Sequence, residues 1–171
     1  MNNFAPPNPN ARREVEAMLK QLDRELQDSM RLAFEAQRGG IIDGLARYRK
    51  YRDRVQSFQA LVALLEDRLT SLSDDITPEM RIQVDRSDAQ MMLLMVESSG
   101  RFFDALLRSS DIPFGTREAA VTEKRTLTSL SERLDQADYA GERAMALRAE
   151  LDRVLGVVQQ IIERSPSLPE F

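Results

Sequence analysis

A row of apolar residues runs through residues 41–76 at alternating steps of three and four. Apart from Gly44, its members are sizeable apolar or aromatic residues: Ile41, Gly44, Tyr48, Tyr51, Val55, Phe58, Val62, Leu65, Leu69, Leu72 and Ile76. Such steps keep side chains on one stripe of an α-helix, and about five heptads of them predict a helix packed lengthwise on other helices. We call this row the helix-2 seam.

Similar patterns predict three further helices. The expected ranges are about 9–38, 41–72, 78–109 and 116–164. Proline near a helix start and glycine just past a helix end support these boundaries. The apolar face of the first predicted helix consists of Val15, Leu19, Leu22, Leu26, Met30, Ala33 and Phe34.

The last predicted helix has an interrupted seam. It contains Leu127, Leu130, Leu134 and Ala137, and it resumes with Ala140, Ala144, Leu147, Leu151, Val154, Val158 and Ile161. The two three-residue steps in succession, from Leu134 to Ala137 to Ala140, shift the register and predict a kink or break near 138–142.

Two segments carry more apolar residues than one seam requires. Ala60, Leu61, Ala63 and Leu64 form a second stripe on the second predicted helix, so we expect its C-terminal half to be contacted from two sides. All residues of 91–96 are apolar, which predicts the most buried stretch of the chain.

The fold predicted from these patterns is all-α, an elongated antiparallel four-helix bundle with coiled-coil-like packing. Short connections favour antiparallel neighbours. We expect a single domain over 9–164, preceded by a disordered segment, 1–8, and followed by a flexible tail, 165–171.

The composition narrows the chemistry. The chain has no cysteine and no histidine, which excludes Cys-His and Ser-His nucleophile pairs and His- or Cys-ligated metals. Asp85 and Asp88 share a helix face but lack further partners for a metal or glycosidase site. We therefore expect no enzyme activity, no cofactor, no metal and no small-molecule substrate.

One basic cluster stands out. Five cations lie within eight residues: Arg47, Arg49, Lys50, Arg52 and Arg54, with Tyr48 and Tyr51 between them. One interpretation is a site for an anionic surface, either nucleic acid or acidic lipid. The other is a solvated helix face whose arginines pair with acids of neighbouring helices. The net charge of −4 disfavours bulk nucleic-acid binding.

The leading hypothesis is a non-enzymatic protein–protein interaction module, such as an adaptor, assembly factor or export-type chaperone. Its partner-binding helix face would be Ala144, Leu147, Leu151, Val154, Val158 and Ile161. Self-association is a further expectation, and nucleic acid or a membrane surface ranks below a protein partner.

General character supports the same hypothesis. In size, acidity and helix content the chain is similar to bacterial flagellar and type III export chaperones. No apolar run approaches the ~20 residues of a membrane span, and we expect a cytoplasmic location. Arginine outnumbers lysine 21 to 3, as is typical of GC-rich bacterial genomes.

Overall fold

The computed structural model describes residues 9–38, 41–72, 77–136 and 142–166. These residues form five helices and no strand, which confirms the all-α prediction. The helices are α1 (Pro9–Arg38), α2 (Ile41–Thr70), α3 (Thr77–Leu107), α4 (Thr116–Gln136) and α5 (Glu142–Arg164).

The number of helices differs from the prediction. The range expected to form one helix over 116–164 contains two, because α4 ends at Gln136 and α5 begins at Glu142. Of the break predicted near 138–142, residues 138–141 lie outside the described residues, as do the predicted disordered segment, 1–8, and residues 167–171 of the predicted tail. The elongated, antiparallel four-helix arrangement stays a prediction.

The chain divides into two compact units. Unit 1 consists of Met1–Arg31 and Tyr51–Met91, and unit 2 consists of Leu32–Lys50 and Met92–Phe171. Helices α1, α2 and α3 therefore contribute residues to both units. The single domain expected over 9–164 stays a prediction.

In unit 1, the core is built by the predicted seams. Removing these side chains from water is the main favourable term in folding. The fully buried aromatic side chains are Tyr51 and Phe58 of α2. Around them lie apolar residues of three helices: Val15, Leu19, Leu22 and Leu26 of α1, Val55, Val62, Leu65 and Leu69 of α2, and Met80, Val84 and Met91 of α3.

In unit 2, aromatic side chains pack around the end of α3. The ring of Tyr48 stacks on Phe102, with ring centroids 4.1 Å apart, and Phe103 meets both rings edge-on. Helices α4 and α5 add buried aliphatic residues to this core: Leu127, Leu130, Leu134, Leu151, Val154, Val157, Val158 and Ile161.

A tight turn leads into α4. Gly115 adopts a left-handed backbone with φ of 83°, which glycine accepts without a steric penalty. The amide of Thr116 donates to the carbonyl of Pro113, and the amide of Ala119 donates to that of Gly115. The backbone conformation therefore favours glycine at this position.

No helix among the described residues is long and apolar enough to cross a membrane.

Candidate interaction surfaces

Three arginines of the basic cluster have partners within the protein. The guanidinium of Arg54 pairs with the largely buried carboxylate of Glu25 on α1, at 3.1 Å. Arg47 donates to the carbonyl of Glu35, and Arg49 donates to the carbonyl of Gly115, each at 3.3 Å. These contacts account for the three arginines without an external anion.

The other members of the cluster differ in exposure. Lys50 is exposed on α2, and Arg52 is half-buried. Tyr48 and Tyr51 are both buried, as their place in the helix-2 seam predicts. The residues of the cluster therefore make separate contacts along one helix. Lys50 is exposed to solvent, and its side chain makes no hydrogen bond or ion pair with another described residue.

Arginine side chains also donate hydrogen bonds to carbonyl groups near the C-terminal ends of helices in unit 2. The last carbonyls of a helix have no partner inside the helix, and cations are favoured there. Arg164 donates to the carbonyl of Leu107 near the end of α3, and Arg148 donates to that of Leu134 near the end of α4. The equivalent contact at the end of α5 comes from Arg117. Part of the arginine excess thus has a structural role.

The predicted partner face on α5 is divided by the structure. Its later members Leu151, Val154, Val158 and Ile161 are fully buried in unit 2, and only Ala144 and Leu147 are partly exposed. Because α5 begins as a new helix and packs on α4, its seam serves the core of the unit. Of the predicted partner face, Ala144 and Leu147 are thus the members that remain partly accessible to a partner.

The run 91–96 is less uniformly buried than expected. Met91, Met92, Met95 and Val96 are buried, but Leu93 is 48% exposed. A six-residue apolar run surrounds the whole helix, and α3 is not covered on every side. The stretch predicted to be the most buried of the chain thus has four buried residues and an exposed one, Leu93.

A groove of about 550 Å³ lies beside Leu93, between α3 and α5. Apolar side chains line part of it, from Leu93 and Val96 of α3 and from Ala146 and Leu147 of α5. Further along α3, Gly100 brings the two helices together: a Cβ atom there would lie 3.0 Å from a methyl group of Val154. The two helices therefore approach each other closely at Gly100, whereas Leu93 lies at an exposed part of the groove.

Charged side chains of both signs form the rim of the groove. Arg153 donates to Asp104 at 2.9 Å and to Glu150 at 2.8 Å, and Arg101 lies 3.8 Å from Glu97. The hydrogen bond from Arg153 and its charge hold the pKa of Glu150 below its usual value, although partial burial acts in the opposite direction. The hydrogen bonds with Glu150 and Asp104 raise the pKa of Arg153. The charged form of Glu150 is thereby favoured.

A buried polar chain in unit 2 was not found from the sequence. Ser99 donates a hydrogen bond to the carboxylate of Glu123, and the hydroxyls of Tyr48 and Ser99 lie 2.9 Å apart. All three side chains are buried. Because the proton of Ser99 goes to Glu123, the hydroxyl of Tyr48 is the donor to Ser99. The only sequence signal was a tyrosine in a seam position.

Within the described ranges, no group of three acidic side chains is placed to hold a metal ion. Comparison of the chain with protein-family models, with curated proteins and with solved structures gives no match.

Proposed function

We propose that this protein is a non-enzymatic protein–protein interaction module, acting as an adaptor, assembly factor or export-type chaperone. The groove between α3 and α5 is the proposed binding site, and an amphipathic helix of another protein is the proposed occupant. The observation that carries this proposal is the half-exposed Leu93 above an apolar groove lining. A groove between two helices accepts the apolar face of a third.

The rim defines the chemistry of that partner helix. Acidic and basic groups alternate there, so a polyanion such as nucleic acid would face carboxylates as well as arginines. A helix with charges of both signs beside its apolar stripe would complement the rim. Complementary rim charges contribute more to orientation and association rate than to affinity.

The remaining expectations belong to the same proposal. They are an antiparallel bundle with coiled-coil-like packing, a cytoplasmic location, and the absence of a cofactor or a small-molecule substrate. The exposed side chain of Leu93 and the rim, which carries charges of both signs, support a macromolecular partner.

A site-specific crosslinking experiment tests the proposal. The chain has no cysteine, so Ala146→Cys introduces one thiol at the groove, to which a photoactivatable crosslinker is attached. We expect this variant to capture a partner from an extract of the source organism through a peptide with apolar residues at helical spacing. Adding Leu93→Asp should abolish capture while far-UV circular dichroism stays unchanged.

The neighbouring residue provides the control. Met145 is 60% exposed but does not line the groove, so Met145→Cys carries the same crosslinker on a different face. Equal capture from both positions, or capture that survives Leu93→Asp, would place the partner elsewhere. Capture of nothing above the level of unlabelled protein would remove the proposal.

The alternative function, binding of an anionic surface through Arg47, Arg49, Lys50, Arg52 and Arg54, has its own test. It requires binding to vesicles of acidic lipid or to nucleic acid that weakens steeply with salt. Lys50→Glu should remove much of that binding if the alternative holds. We favour the protein partner because Arg47, Arg49 and Arg54 already contact groups of the protein.

A further inference from the structure

The second apolar stripe of α2 is left uncovered. The sequence predicts contact on two sides of this part of the helix, and the helix-2 seam is buried there. Leu64, however, is 54% exposed, Ala60 and Ala63 are exposed, and Leu61 is half-buried. Four residues follow each other on the outward side of α2: Ser57, Ala60, Leu61 and Leu64. We call these four residues the outer α2 stripe.

The charges beside the stripe are self-complementary. If two copies of α2 cross antiparallel about a two-fold axis between positions 60 and 61, Ala60 faces Leu61 and Ser57 faces Leu64. The same register brings Asp53 of one copy opposite Arg68 of the other. Two-fold symmetry repeats each of these pairs, so the interface contains two opposite-charge pairs and no like-charge pair among them.

The side chains of this register are accessible. Asp53 and Arg68 are exposed, and Ala60 and Ser57 are small enough to let two helices approach closely. Arg68 contacts Glu14 at 3.5 Å, and both side chains are about half exposed. Exposed ion pairs of this kind contribute little free energy, so Arg68 is able to exchange partners.

We propose that two copies of this protein associate through the outer α2 stripe, antiparallel and about a two-fold axis between positions 60 and 61. This inference is independent of the groove between α3 and α5, because the groove belongs to unit 2 and the outer α2 stripe belongs to unit 1. The small apolar area predicts a weak, concentration-dependent dimer.

Sedimentation equilibrium over a concentration series measures this association. We expect the mass to rise from 19.5 kDa toward twice that value. Leu64→Glu should raise the dissociation constant by at least about tenfold, because each copy loses an apolar contact and gains a charge. The matched control is Ile82→Glu, which changes a residue of α3 that is 57% exposed and should leave the dissociation constant unchanged.

Charge reversal tests the register. Asp53→Arg or Arg68→Asp alone should weaken the dimer by roughly two- to fivefold, and the double variant should restore it. A wild-type protein that stays monomeric at all concentrations would overturn the proposal. So would a dimer that Leu64→Glu leaves intact, or a double variant that is as weak as the single ones.

Disulfide formation gives a second readout. Ala60→Cys places one thiol beside the proposed axis in each copy, so mild oxidation should produce a covalent dimer. Ala89→Cys, at an exposed position of α3, should not. Equal crosslinking of the two variants would indicate random collision and contradict the interface.

Discussion

The buried polar chain of unit 2 gives the sharpest stability prediction. Ser99→Ala removes a hydroxyl that donates to Glu123 and accepts from Tyr48, in a site that water does not reach. A hydrogen bond between neutral groups contributes about 1 kcal/mol, and one to a charged group about 1.5–3 kcal/mol. We therefore expect Ser99→Ala to lower the free energy of unfolding by roughly 2.5–4 kcal/mol.

A double-mutant cycle separates the two bonds. Tyr48→Phe removes only the phenol hydroxyl and should cost about 1 kcal/mol. Once Ser99 is alanine, the same change should cost much less, so the coupling energy is expected to be about 1 kcal/mol. Urea denaturation followed by far-UV circular dichroism supplies all four free energies.

Another buried serine serves as the control. Ser29 is fully buried on α1, and its hydroxyl has no hydrogen-bond partner among the described residues. Ser29→Ala should therefore be neutral or stabilising, because no bond is lost on removing the hydroxyl. The reasoning fails if Ser99→Ala costs no more than Ser29→Ala, or if the effects of Tyr48→Phe and Ser99→Ala add.

Three further predictions concern single positions. Gly156→Ala on α5 should stabilise the protein by about 1 kcal/mol in thermal or urea unfolding, because its new methyl group meets no atom within 4 Å and alanine favours the helix; a destabilised variant would contradict this. Gly115→Ala should destabilise by about 1 kcal/mol or more, from its positive φ and from the guanidinium of Arg49 at 2.9 Å, and unchanged stability would refute it. Arg153→Gln should raise the pKa of Glu150 toward its usual 4.5 in a carboxyl NMR titration. The pKa of Glu150 is lower in the folded protein than its usual value. Its pairing with Arg153 therefore stabilises the folded protein above that usual pKa, and this contribution is lost as the pH falls through the lowered pKa. An unchanged pKa of Glu150 in the Arg153→Gln variant would refute the assignment.

The basic cluster shows where sequence reasoning reached its limit. The density of cations at 47–54 allowed either an anion site or contacts within the protein. Arg47 and Arg49 donate to backbone carbonyl groups, and every residue of the chain carries a carbonyl group. No residue pattern therefore marks them, and the partner of Arg49 lies 66 positions away in the sequence.

The groove and the outer α2 stripe show a related limit. Apolar periodicity predicted both Leu64 and Leu93 as contact residues, but periodicity does not state which contacts come from the same chain. The same applies to Met30 and Phe34, which the pattern placed on the inner face of α1 and which are about half exposed. Coverage of these positions depends on how neighbouring helices pack.

The sequence by itself determined the helical class, the start and end of α1, and the buried line of α2 from Tyr48 to Leu69. These features depend on steps of three and four, on proline and on glycine, which act within a few residues of one another. Only the tertiary structure decided that α5 places its later seam in the core and that Leu64 and Leu93 stay exposed. Burial is a property of neighbours brought together from distant parts of the chain, so a local pattern cannot determine it.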